Sequence, residues 1–329
     1  MALHTRLTEL LDIEHPIISA PMAFAAGGKL AAAVTAAGGL GLIGGGYGDA
    51  EWLQREFSEA GNAKVGCGFI TWSLAKRPEL LDLVLARLPA AVMLSFGSPF
   101  PFGQQVKAAG AKLICQVQSI EHARAAVDVG ADIIVAQGAE AGGHGMVRST
   151  FTLVPEVADY LAKVAPATLL VAAGGVADGR GLAAALMLGA DGVLVGSRFW
   201  ASSEALVHDS FQNAALGADG DATVRTTVVD LVRKLDWPKP FTARVMKTGF
   251  VTDWHGNEAE LDQPQLLERE MNRYVTAMQN GDPANTGVWV GEAAGLIHDI
   301  RPAADLLLGM VGEAEGLLGA TAPGLVGGS

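Results

Sequence analysis

Eight short apolar runs, each separated from the next by a stretch of helical spacing, constrain this chain more than any other feature. The runs are Pro16–Ala20, Leu40–Ile43, Lys64–Phe69, Ala91–Ser95, Lys112–Gln116, Asp132–Ala136, Thr168–Ala172 and Asp191–Val195. Between them lie segments such as Lys29–Ala37, Ala50–Ala60, Pro78–Arg87, Gln104–Ala109, Ile120–Val129 and Arg180–Leu188, with helix formers and no internal proline. The strand runs are mostly continuously apolar, as strands buried on both faces of a parallel sheet must be. Eight such units in succession predict an α/β fold closed into a (β/α)8 TIM barrel over residues 1–202, more readily than an open doubly wound sheet. A barrel of about 250 residues fits within 329 and leaves room for an appendage.

After Val195 the pattern changes. Residues 203–290 are more polar and read as a mostly helical lid inserted after the eighth strand, broken at Trp237-Pro238 and at Trp254-His255-Gly256. Residues 291–318 read as a helix returning to the barrel, and 319–329 as a frayed tail. The 42 glycines come with many aliphatics and no triplet repeat, which points to tight strand–helix junctions.

Charge and composition narrow the function. A net charge of -12 disfavours nucleic acid and anionic membranes as partners. No apolar run has the length of a membrane span, and Met1–Glu14 lacks the apolar core of a signal peptide. Two cysteines, Cys67 and Cys115, are too few for a cluster or a four-thiolate metal site. They read as small buried hydrophobes and suit a reducing, cytoplasmic setting. No metal is expected.

Chemistry on a TIM barrel sits at the carboxyl ends of the strands. Ala173-Gly174-Gly175-Val176 after the seventh run, and Gly196-Ser197-Arg198 after the eighth, expose backbone N–H groups on adjacent strands, each ahead of a helix N-terminus. Together they form a phosphate cradle, although glycines also serve plain tight turns. The loop Gln137–Gly145 after the sixth run carries Gly142, Gly143 and His144, placing an imidazole where a cofactor and a substrate can meet. A neutral imidazole is a suitable base near neutral pH, and the bland alternative is a loop brace. Pro21, Met22 and Ala23 after the first run suit one face of a flat ring, and Gln116 can donate to a ring carbonyl; core packing would explain them equally well. Gly68–Trp72 and Ser95–Pro99 also face the barrel mouth.

Other signals are weaker. Gly39-Leu40-Gly41-Leu42-Ile43-Gly44 spells the dinucleotide fingerprint, but it follows a helix and spans a strand, the reverse of what that fingerprint requires. His4, His15, His122, His208 and His298 read as surface or packing residues. Trp254 and His255 are secondary candidates for reaching a substrate from the lid.

At these junctions the chain resembles the nitronate monooxygenase family, formerly 2-nitropropane dioxygenases, FMN-dependent TIM barrels. The resemblance runs from about Thr5 to Leu318 and is carried by Ala136–Gly145, Ala172–Gly181 and Leu188–Phe199. It implies FMN as cofactor, with Pro21, Met22 and Ala23 flanking the flavin and Gln116 near its polar edge. It further implies Gly142 and Gly143 against the cofactor, Ala173, Gly174, Gly175, Gly196 and Ser197 on the phosphate, and His144 as the catalytic histidine. The implied activity is oxidation of alkyl nitronates or nitroalkanes with O₂. Where many members carry a second histidine, this chain reads Ser95-Phe96-Gly97-Ser98, and Ser197 stands for the more usual threonine. The same superfamily includes flavin reductases of quinones and enoyl thioesters, so an NAD(P)H-dependent reductase is the alternative. A non-catalytic barrel binding a phosphorylated ligand is a third reading. The oligomeric state stays open.

Overall fold

The computed structural model describes residues 3–321. Its strands, in chain order, are β1 (Ile17–Ser19), β2 (Leu42–Gly44), β3 (Gly66–Ile70), β4 (Ala91–Ser95), β5 (Lys112–Val117) and β6 (Ile133–Gln137). They continue with β7 (Gly143–Gly145), β8 (Leu169–Ala173), β9 (Gly192–Val195), β10 (Thr223–Thr226) and β11 (Thr242–Met246). Eight of them form one parallel sheet in the order β1-β9-β8-β6-β5-β4-β3-β2. Leu40 closes the ring: its carbonyl accepts from Ser19 N at 2.9 Å, and its N–H donates to Ile17 O at 3.0 Å. The barrel is therefore continuous, and the eight expected runs match its strands to within two residues at each end.

Alternate residues of each strand divide the core in two, because strand side chains alternate between faces. Ile18, Leu42, Met93, Ile114, Ile133, Val135, Val171 and Leu194 fill the barrel interior. Leu7, on the helix Arg6–Leu11, joins this cluster and plugs the amino-terminal end. The opposite faces pack under the surrounding helices, whose starts are set by side-chain caps: Asp49 accepts from Trp52 N, Ser119 from His122 N and Asp178 from Gly181 N. The run Gly39–Gly44 has a packing explanation. A Cβ on Gly41 would collide with the backbone of Ala31, so the helix Gly28–Ala36 can lie on β2 only over a glycine.

The segment after β9 contains the helices Asp209–Leu216, Val228–Leu231, Gly249–Trp254 and Pro264–Asn280, with β10 and β11 between them. These two strands pair antiparallel, and β11 also pairs with β7, giving a three-stranded sheet in the order β10-β11-β7. This sheet stands among the helices expected of residues 203–290. One of its strands comes from the loop after β6, so the barrel and the segment above it are joined by backbone pairing. Residues 291–318 contain a short turn at Glu292–Leu296 and the helix Ala303–Gly316, which packs against the helices Gly179–Met187 and Gly28–Ala36. Residues 322–329 of the expected tail lie outside the described residues. Among the described residues, no helix is long and apolar enough to cross a membrane.

Candidate active site

The carboxyl ends of β1, β3, β4, β5, β6, β8 and β9 converge on one cavity of about 330 Å³. That volume is within the range of about 300–1,000 Å³ of small-molecule sites. All twelve expected site residues line it: Pro21, Met22, Ala23, Gln116, Gly142, Gly143, His144, Ala173, Gly174, Gly175, Gly196 and Ser197.

At one end are the glycine loops. Gly174 (φ +100°) and Gly175 (φ +80°) occupy left-handed backbone, where a side chain is strained. A Cβ on Gly174 would also lie 2.9 Å from Thr150 Oγ1 and 3.0 Å from Gly138 O. Among the described residues, none accepts a hydrogen bond from the N–H groups of Gly174, Gly175, Gly196 or Ser197. The N-terminus of the helix after β8 is not free for a ligand, because Glu313 Oε2 accepts from Gly179 N at 2.7 Å and Asp178 Oδ1 from Gly181 N at 3.1 Å. The available donors belong to the two loops. Ser197 Oγ accepts from Gly291 N at 2.9 Å, so the strap 287–293 is tied across this end.

Farther along, a buried amide network organises the wall. Gln116 Nε2 and Gln118 Nε2 each donate to Gln137 Oε1 at 2.9 Å, and Gln137 Nε2 donates to the His144 carbonyl at 3.0 Å. Gln116 keeps its carbonyl oxygen and one N–H for other partners.

His144 lies at the centre of β7, paired with Ala243 of β11. Its Nε2 is 3.0 and 2.9 Å from the two carboxylate oxygens of Asp230, and both side chains are almost wholly buried, at 6% and 5% exposure. Trp237 stacks on the imidazole, with centroids 3.3 Å apart and planes 7° from parallel. Burial pushes the His144 pKa below its ordinary value, with Arg233 and Arg225 acting the same way and Asp230 opposing them. The ring is therefore neutral, and able to act as a base, through the neutral pH range. Around it stand Phe96, Trp289, Tyr47 and Arg233. The Arg233 guanidinium lies 5.2 Å from the Tyr47 ring centroid and 5.3 Å from that of Trp289. Among the described residues, no carboxylate lies within ion-pair distance of it.

Several of these residues were not singled out from the sequence. Asp230, Arg233, Trp237 and Trp289 come from the polar stretch after β9, and of these four only Trp237 carries a sequence signal, the break at Trp237-Pro238. His208, set aside as a surface or packing residue, lines the cavity with its Nδ1 2.8 Å from Ser210 Oγ. Trp254 and His255 do not reach it: Trp254 Nε1 donates to Glu270 and His255 faces Glu258 at 3.4 Å.

The nitronate monooxygenase family model matches residues 4–65 and 71–313. The chain belongs to this family. Nitronate monooxygenases are flavoenzymes, and the protein is an oxidoreductase on an α/β barrel. Among its relatives, the nitronate monooxygenase of Neurospora crassa is 32% identical over 342 residues, covering 91% of this chain and 89% of that one. A (3aS,4S,5R,7aS)-5-hydroxy-7a-methyl-1-oxo-octahydro-1H-indene-4-carboxyl-CoA dehydrogenase of Mycobacterium tuberculosis is 30% identical, covering 95% and 97%. FabK from Thermotoga maritima superposes with a TM-score of 0.84 at 33% identity, covering 97% and 98%. In this nitronate monooxygenase family member, Ser95 and Phe96 at the end of β4 also line the cavity.

Proposed function

We propose that the protein oxidises alkyl nitronates, and nitroalkanes after deprotonation, with FMN as cofactor and O₂ as acceptor. The observation that carries this reading is a neutral, carboxylate-paired imidazole and a guanidinium with no described carboxylate in ion-pair distance, in the same aromatic-walled chamber, at the end of a cavity whose other end offers free backbone N–H groups.

The residues present fit FMN. Gly174, Gly175, Gly196 and Ser197 would donate to its phosphate, with Ala173 beside them, and a side chain on Gly174 would have no room. Pro21, Met22 and Ala23 would cover one face of the ring system, Gly142 and Gly143 would lie against it, and Gln116 would meet its polar edge. When bound, FMN supplies the redox chemistry of nitronate oxidation. His144 takes the α-proton of a neutral nitroalkane or orients a nitronate already ionised. Arg233 attracts the planar nitronate anion, and the rings of Tyr47, Trp237 and Trp289 exclude water around it, which strengthens that attraction.

A second reading draws on the carboxyl-CoA dehydrogenase relative and on FabK: an NAD(P)H-dependent flavin reductase of quinones or enoyl thioesters. Anaerobic titration separates the two. Bleaching of the flavin absorbance by propionate 3-nitronate and not by NADH is expected; rapid bleaching by NADH alone would transfer the assignment to the reductase. With both cysteines buried and unpaired, a reducing cytoplasm is the proposed setting.

A further inference from the structure

We propose that Asp230 is a positioning residue that fixes His144 as its Nε2–H tautomer, leaving Nδ1 as the nitrogen that takes the substrate proton. An ionised carboxylate only accepts hydrogen bonds, so the ring nitrogen 2.9 and 3.0 Å from its two oxygens must carry the hydrogen. The other nitrogen, which has no hydrogen-bond partner among the described residues, then holds the lone pair.

Three further contacts remove the ring's freedom to do otherwise. Pairing of His144 with Ala243, and the bond from Gln137 Nε2 to the His144 carbonyl, fix the backbone. Stacking of Trp237 at 3.3 Å fixes the ring plane. Within that plane a half-turn of the imidazole would set Cε1 against the carboxylate and forfeit a charge-assisted hydrogen bond. Asp230 thus decides which edge of the ring faces the substrate.

Its charge has a second use. When the substrate C–H bond breaks, the electron pair stays on the substrate and the proton forms a new bond to Nδ1. The ring becomes an imidazolium, whose positive charge Asp230 balances at contact distance. The other ionisable groups that bear on His144 are Arg233 and Arg225, both of which disfavour that cation. Asp230 is therefore the only group among these three that favours the protonated product of the step. The tautomer rests on geometry alone; its catalytic consequence rests on His144 being the base of the proposed reaction.

Nitrogen-15 histidine labelling and two-bond ¹H–¹⁵N correlation spectra report the tautomer with or without turnover. Wild-type holoenzyme should show an Nε2–H pattern for His144, assigned by its loss in His144→Asn. In Asp230→Asn the side-chain amide can donate to Nε2, so the signal should move toward Nδ1–H. Turnover of a neutral nitroalkane should then fall by about 10²–10⁴-fold, the usual share of a general base. Preformed nitronate should lose much less, and the acid limb of the nitroalkane profile should shift to lower pH, because a group that raises the His144 pKa has gone. A packing role alone would leave both the tautomer and that limb in place. An Nδ1–H pattern in the wild type, or an Asp230→Asn variant with the same tautomer and deprotonation rate as the wild type, would overturn the proposal. If Asp230→Asn does not fold, the wild-type spectrum decides alone. If the wild type shows Nε2–H yet is reduced by NADH and not by nitronates, the reaction assignment fails while the role of Asp230 on His144 stands.

Discussion

At His144 a single imidazole is held by a carboxylate, an indole face, a glutamine amide and a strand register. The glycines on either side of it and its place after a barrel strand made this residue legible. Asp230 was not, because it lies 86 positions away and arrives only through folding of the segment above the barrel. Burial lowers the His144 pKa, so the base form persists as pH falls until that lowered value is reached. The acid limb of kcat/KM on a neutral nitroalkane is therefore expected below the ordinary histidine value of about 6.5; a limb at or above it would contradict the burial argument. Arg233 carries an equally sharp expectation. Loss of a charge-assisted contact in Arg233→Ala should raise KM for a nitronate by about tenfold to a hundredfold, with the FMN dissociation constant nearly unchanged. At the opposite end of the cavity, Gly175→Asp sets a carboxylate against the proposed phosphate site, and FMN affinity followed by fluorescence quenching should fall on the order of a thousandfold. Full retention of FMN by that variant would move the phosphate elsewhere. The thiols are predicted silent: burial raises both, Cys115 to about 12, so neither should react with a thiol reagent until the chain is unfolded.

The barrel strands were readable because each is a continuous apolar run between glycine-bounded helices. The small sheet was not. β10 reads Thr-Val-Arg-Thr and β11 reads Thr-Ala-Arg-Val-Met, short segments in which arginines interrupt the apolar pattern. β7 is Gly-His-Gly, three residues with little strand propensity, and it exists as a strand because β11 presents an edge to it. The segment from Lys234 to Phe241 connects this sheet to the helix Val228–Leu231 and carries Trp237 into the cavity, while Lys234, Asp236 and Lys239 stay exposed. Limited trypsinolysis should make its first cut after Lys234, since a proline follows Lys239. Bound FMN should slow that cut by holding Trp237 and His144 in place. Equal rates with and without FMN would mean that this connection does not sense the cofactor.

For the molecule as a whole, stability resides in the barrel interior and reactivity at its open end. Leu7 is fully buried in the interior cluster although it belongs to a helix outside the eight repeats. Leu7→Ala should lower unfolding free energy by about 2–5 kcal/mol, read from urea denaturation, with little change in FMN affinity. The pairing of β7 with β11 has a consequence for how such an enzyme can be rebuilt. A cap grafted from this chain onto another barrel would bring Asp230, Arg233 and Trp237 but no imidazole between them, and a barrel stripped of its cap would keep a histidine with nothing to aim it. Loop and cap are thus one heritable module spanning two parts of the fold, and recombination that separates residues 138–145 from 223–246 would inactivate both parents' halves.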